Sequence, residues 1–491
     1  MRKRKCGNLV EERKMKKPKG KNMKEVENIL KKTGRKIFFL FLGICIFLIL
    51  IFANSVLSAG KSPMLRVGIF LNQTEINIGG DGTFKIYNLK SKNLVSEERN
   101  KIIKMLPHNK GIEILGKGVY SGPINIIPVG NTKIIVIING RKYRYRGNIE
   151  IVIDKDYKKL NVINIIGIEE YLYGVLKKEI SPRWPAETLK AQAVAARTWA
   201  IFNTNKYIDK GYNISASTDS QAYGGVNHED PLTNRAVDKT RGIIMVYKGE
   251  TINAVYHSDS GGYTEDSENV WGSFLPYLRS VKSKYEEFVS PPYHTWTYSI
   301  TKEDLTERLQ KQGYEIDKIV SIKPVKKSET GRISELVFTA DNNEVINMKA
   351  NDFRSLIGAN LIRSTLFNIE VIGKELNITE ETEDKKEIED KEEQGVSVKE
   401  ILEQKKDWTI KELLELMKKN KDEREKEKEV KVPEAEIVKS NTPLTFIFSG
   451  SGNGHGVGMS QWGAYGMALQ GSRYQDILKY YYQGIDIIKK Y

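Results

Sequence analysis

The sequence predicts an α+β protein: a single-pass N-terminal membrane segment, a β-rich region, and a mixed α/β core broken by a mixed-charge, partly helical insertion. Three observations carry this. An unbroken apolar run, Ile37–Ala53, lies close to the N-terminus. Short β-branched runs separated by Gly, Asn and Asp turns fill Leu65 to about Ile166. Helical spacing of apolar residues begins only after that point, and strand-like text returns beyond it.

The chain has 491 residues, room for two or three domains. Residues 1–36 form a basic arm with fifteen Lys/Arg against four Glu, a surplus of eleven within a net charge of +15. The basicity is therefore concentrated in the arm rather than spread over a folded surface. No nucleic-acid module follows it, so DNA and RNA are excluded as partners. Residues 37–59 read as a transmembrane signal-anchor or signal peptide, since Ile37–Ala53 is near the shortest length that crosses a hydrocarbon core. The Lys/Arg cluster before it keeps the N-terminus cytoplasmic and exports the rest, which places the protein in the cell membrane with its C-terminal part outside. "SVLSAG" also has the small residues of a signal-peptidase site, the secreted alternative; the long arm favours an anchor. Cys6 and Cys45 both precede Gly60, so the exported part has no disulfide and no thiolate for zinc.

The β-rich region spans 64–166, with "LRVGIFL", "INIIPV", "KIIVIING", "IEIVID" and "KLNVINII" as strands. The core is expected over 167–373. It opens with a helix, "IEEYLYGVLKKEI", whose Ile168, Leu172, Val175, Leu176 and Ile180 fall on one face. Ser181, Pro182 and Pro185 break it, and a small-residue helix starts near Ala186 with Glu187 in its first turn. Further on, "KEDLTERLQKQ" reads as helix and "RISELVFTAD" as strand. Residues 374–441 are rich in Lys, Glu and Asp and read as a solvated insertion with a helical island. Residues 442–491 resume the core with a strand, a glycine-rich turn and two helices.

The chemistry centres on "EISPRWPAET". Glu179 ends a helix, where the dipole disfavours a carboxylate, and Ile180 and Trp184 are placed to desolvate it. A carboxyl kept protonated can donate to a leaving group. No second acid stands out. A hydrolysing glycosidase needs a carboxylate pair, whereas a substrate that brings its own nucleophile needs one acid/base. Gln192 and Arg197 lie on the buried helix, and Arg197 requires a partner: a structural salt bridge or a substrate. "YHSDSGGYTE" offers Ser258 and Ser260 either for a sugar or for turn chemistry. In "SGNGHGVGMSQW" the alternating glycines let backbone approach something closely and display His455 ahead of Gln461. The spacing is neither a phosphate loop nor a dinucleotide fingerprint. The five histidines show no ligand spacing, so neither metal nor cofactor is expected.

Together "IEEYLYGVLKKEISPRWPAETLKAQAVAARTWAI", "SQAYGG", "YHSDSGGYTEDSENVWGSFLPYLRSV" and "GHGVGMSQWGAYGMALQGSRYQDILKYYYQG" resemble the SpoIID/LytB family of peptidoglycan lytic transglycosylases and amidase enhancers. The resemblance runs from about Leu65 to Tyr491, with the insertion and the long arm outside the family pattern. It implies that Glu179 is the catalytic acid/base. It further implies that Gln192, Arg197, Gln221, Tyr223, Ser258, Ser260, His455 and Gln461 line a substrate cleft. The implied reaction cuts the MurNAc–GlcNAc bond of peptide-stripped glycan strands, leaving 1,6-anhydro ends. The implied partners are the glycan strands, an amidase or endopeptidase, and a membrane complex. Some relatives carry a zinc-binding His/Cys cluster; this chain lacks the cysteines.

Overall fold

A computed structural model describes residues 62–373 and 444–491. The basic arm, the apolar segment and the charged insertion lie outside the described residues. Among the described residues, no helix is long and apolar enough to cross a membrane. The described residues divide into two compact units, one holding residues 62–255 together with Met467–Tyr491, the other residues 256–373 with 444–466.

In the first unit, alternation of side chains dictates the sheets. Thr83–Asn88 buries every second residue, Phe84, Ile86 and Asn88. A seven-stranded sheet places Leu160–Gly167 between Met64–Gln73 and Asn148–Ile153, antiparallel to both. A six-stranded sheet holds Ile76–Gly80 between Ile134–Ile138 and Ile102–His108. All five runs read as strands in the sequence overlap observed strands. The strand Leu160–Gly167 runs directly into helix α1 (Ile168–Glu179). The expected boundary between 166 and 167 falls within the first unit.

Helix α1 buries Ile168, Tyr171, Leu172, Val175 and Leu176, the face that the 3.6-residue period selects. It stops at Glu179 because Ser181 precedes Pro182, which disfavours helical backbone there, and Ile180 is already extended. Helix α2 (Ala186–Phe202) follows, buried along nearly its whole length. Helix α3 (Pro231–Lys239) is capped by Asp230, whose side chain accepts from Leu232 N–H. At Gly174 the Tyr223–Gly225 segment packs closely on α1. A Cβ there would sit 2.6 Å from Tyr223 Cε2 and 3.0 Å from Gly225 backbone. Gly174→Ala is expected to cost roughly 1–3 kcal/mol through overpacking. A urea unfolding midpoint indistinguishable from wild type would show that the Tyr223 segment yields freely.

In the second unit, Phe338, Phe353, Phe446, Phe448, Leu305 and Leu336 form the core. They come from two three-stranded sheets and from the helices Lys302–Lys311 and Ala350–Ile357. Strand Phe367–Ile372 pairs antiparallel with Thr445–Ser451, Ile372 facing Thr445. The two ends of the charged insertion thus leave from adjacent strands. Extra chain closed between such points costs little, since loop-closure entropy grows only logarithmically with length.

Candidate active site

Glu179 is half-buried at the C-terminal end of α1, and its Oε1 accepts a hydrogen bond of 3.3 Å from Ala222 N–H. The segment that supplies this donor is tied down on several sides. Gly224 N–H donates to Gly174 O of α1 (3.0 Å), and Tyr223 N–H donates to Ala216 O (3.2 Å). Tyr223 OH reaches Asn164 Oδ1 at 2.8 Å. Gln221 Nε2 donates to Ala196 O of α2 at 3.2 Å, while its Oε1 accepts from Tyr171 OH at 3.1 Å. Gln221 and Tyr223 are both buried, so they fix the Ala222 amide beside Glu179. Burial first, and the Glu179 charge second, push the Tyr171 phenol well above its ordinary value. Tyr171 therefore stays a neutral donor at any working pH.

Ile180 and Trp184, expected to desolvate Glu179, pack with Leu189 and Ala236. Ile180 follows Glu179 in extended backbone, so consecutive side chains leave the turn in different directions.

Of the two readings of Arg197, the geometry is that of the structural salt bridge. Its side chain is 0 % exposed and Glu169 is 2 % exposed. The guanidinium is bidentate to Glu169, Nε to Oε1 at 3.0 Å and Nη2 to Oε2 at 2.6 Å. Its remaining donors go to Ile243 O at 3.1 Å, Val237 O at 3.2 Å and Thr240 Oγ1 at 3.4 Å. Glu169 also accepts from Gly242 N–H and from Tyr491 OH. The pair bolts α1 to α2 and to the C-terminal residue, within the body that carries Glu179. Gln192, on α2, is buried as well.

Ser258, Ser260, His455 and Gln461 belong to the second unit. Ser260 is buried, and its hydroxyl donates to Glu286 Oε2 while its N–H donates to Glu286 Oε1, both at 2.8 Å. Ser258 is half-buried and its carbonyl accepts from Trp462 N–H. His455 accepts at Nδ1 from Val457 N–H (3.0 Å) and donates from Nε2 to Tyr256 O (3.1 Å). Those two bonds fix one neutral tautomer, and burial beside Arg354 pushes its pKa down to about 4. Trp271 lies 5.1 Å from its ring. Gln461 is buried at the start of the helix Gln461–Leu469.

The glycine-rich turn does let groups come close, but they are the protein's own. A Cβ on Gly456 would meet the Arg332 guanidinium at 2.6 Å, and one on Gly454 would meet His257 Cβ at 2.7 Å. His257 is buried, with Nδ1 3.0 Å from Val457 O. Burial first, then His455 and Arg332, hold its pKa well below the ordinary 6.5. The unfolded chain takes up this proton near pH 6.5 and the folded chain does not, so stability is lost as pH falls through about 6.5. His257→Asn is expected to flatten the decline of the unfolding midpoint between about pH 7 and pH 5. Parallel declines for both proteins would contradict this.

Folding does create one cluster of possible metal ligands among the described residues: Asp259, Glu286 and His294 each offer an atom within 4.8 Å of the others. No sequence motif announces it, because the three are far apart in the chain. Its chemistry argues against a cation. Glu286 Oε1 already accepts from Ser260 N–H and Ser460 Oγ, and Oε2 from Ser260 Oγ and Gly262 N–H. Asp259 accepts from Gly261 N–H and pairs with His294 Nδ1 at 3.0 Å. A metal would have to displace those donors.

Residues 156–247, which include Glu179, Gln192, Arg197, Gln221 and Tyr223, match the family model described as Stage II sporulation protein, SpoIID. Residues 277–389 match a domain of unknown function, DUF8618. An uncharacterised protein of Brachyspira hyodysenteriae is 28% identical over 437 residues, 89% of this chain and 95% of that protein. The amidase enhancer of Bacillus subtilis is 40% identical over 134 residues, 27% of this chain and 17% of that protein. Stage II sporulation protein D of Bacillus subtilis is 32% identical over 213 residues, 40% of this chain and 59% of that protein. The chain spans less than two thirds of the length of each of the two Bacillus subtilis relatives.

Proposed function

Because the chain contains a domain of the SpoIID/LytB family, we propose that it acts on the cell wall, as a peptidoglycan lytic transglycosylase of the kind used in sporulation. The observation that carries this reading is Glu179 itself. It is a half-buried carboxyl at a helix C-terminus, hydrogen-bonded by the Ala222 backbone N–H, inside the family-matched segment. Glu179 as an acid protonates the glycosidic oxygen leaving from C1 of a MurNAc unit. The C1–O bond breaks, and the carboxylate then accepts the proton of the same unit's 6-hydroxyl as O6 bonds to C1. The proton lost from O6 replaces the one given to the leaving oxygen, and no water is consumed. Such acid–base assistance contributes about 10²–10⁴-fold. Ala222 N–H keeps the carboxylate in one orientation through both half-steps, and Tyr171 and Gln221 keep Ala222 in place. Membrane anchoring through residues 37–59 and an amidase or endopeptidase that strips the stem peptides belong to the same proposal.

The second reading is an amidase enhancer that grips glycan without cutting it, favoured by the 40% identity to the Bacillus subtilis protein of that name. The purified full chain, incubated with peptide-free glycan strands and no other hydrolase, is expected to shorten them on size exclusion. Strands that bind but keep their length would favour the enhancer.

A further inference from the structure

On the first unit, a groove of about 370 Å³ opens between α2 and α3. Helix α3 lines it with Leu232, Arg235, Ala236 and Lys239, one stripe at i, i+3, i+4 and i+7. Trp184 and Leu189 form the opposite apolar wall, and Arg183 and Lys190 stand on its rim. The floor is apolar, and Leu232 remains 48 % exposed above it.

All four charged residues lining the groove are cations. Lys190 is paired with Glu187 at 2.6 Å. Arg183, Arg235 and Lys239 have no ion pair among the described residues. The acids nearest in sequence are committed: Asp238 to Tyr173 OH and Arg241, Asp230 to the α3 cap and Lys177. Like charges at i and i+4, as at Arg235 and Lys239, disfavour a helix by a few tenths of a kcal/mol. A small anion would answer the charge and leave the floor wet; an apolar chain would cover the floor and leave the cations unanswered. A segment with both, apolar at helical spacing and acidic along its edges, answers each.

We propose that this groove docks an acidic amphipathic helix of a partner protein. The proposal does not require the glycan-cutting reading, because Glu179 is not among the residues lining the groove.

The probe is a fluorescein-labelled helical peptide with Leu at i, i+3, i+4 and i+7 and Glu at the flanking positions. Its control carries the same apolar pattern with Lys in place of Glu. Fluorescence anisotropy with the full chain is expected to show binding of the acidic peptide only. Arg235→Glu with Lys239→Glu should weaken it at least about tenfold, the effect of turning two attractions into repulsions. Leu232→Ala should weaken it several-fold without moving the unfolding midpoint. Equal affinity for the charge-reversed protein, or for a poly-Glu peptide of the same length, overturns the proposal. So does loss of phosphatidylglycerol-vesicle binding in the charge-reversed protein with no peptide binding in wild type, which would make the groove a lipid site. A large gain in peptide affinity on deleting 374–441 also overturns it, because the occupant would then be the chain's own insertion. Glu179→Gln should leave peptide affinity unchanged, so failure here and failure of the glycan reading are told apart.

Discussion

Glu179→Gln is expected to reduce glycan cleavage by about 10²–10⁴-fold while leaving strand binding and the unfolding midpoint unchanged. Gln keeps the shape of the side chain and a carbonyl oxygen able to accept from Ala222 N–H, so the geometry around α1 persists. It cannot donate a proton to a leaving oxygen and then recover one. Initial rates of product release from purified strands measure the effect, with a binding isotherm as the companion. Cleavage at the wild-type rate would place the acid elsewhere. A lower midpoint together with lower activity would make Glu179 a folding residue.

The second large effect concerns stability. Arg197→Ala is expected to cost about 3–5 kcal/mol, because Glu169 would remain buried with its charge uncompensated. Gly242 N–H and Tyr491 OH still reach Glu169, which pulls the expected value toward the lower end. Adding Glu169→Gln should recover part of the loss, since the buried charge goes with its partner. Urea unfolding of both variants checks this. A change below about 1 kcal/mol would show that the pair is open to water and contradict the burial seen here. Arg197 and Glu179 are thus separable: one change lowers the midpoint, the other lowers only turnover.

The elements of the first unit were legible because their signals are local. β-branched alternation announced the strands, and Pro182 and Pro185 announced the break between α1 and α2. The partner of Arg197 also left a mark. Glu169 shares its helix face with Leu172 and Leu176, at i, i+3 and i+7, a charged residue on an otherwise apolar stripe. The roles of Ser260 and His455 were not legible. A hydroxyl beside Gly-Gly reads equally as a sugar contact or as turn chemistry, and its actual partner, Glu286, is far along the chain. The glycines around His455 read as room for a ligand, whereas the room is taken by Arg332 and His257. The division into two units was hidden for the same reason. The chain leaves the first unit at Tyr256 and returns after Gly466, and no composition change marks either crossing.

In the proposed transglycosylase reaction one carboxyl suffices, because the substrate supplies its own nucleophile. The most direct measurement is mass spectrometry of glycan ends after incubation of peptide-free strands with the full chain in H₂¹⁸O. The expected products are 1,6-anhydro-MurNAc ends, lighter by one water than reducing ends, with no ¹⁸O. Reducing ends labelled with ¹⁸O would contradict it, because water would then be the nucleophile and a second catalytic group would be required.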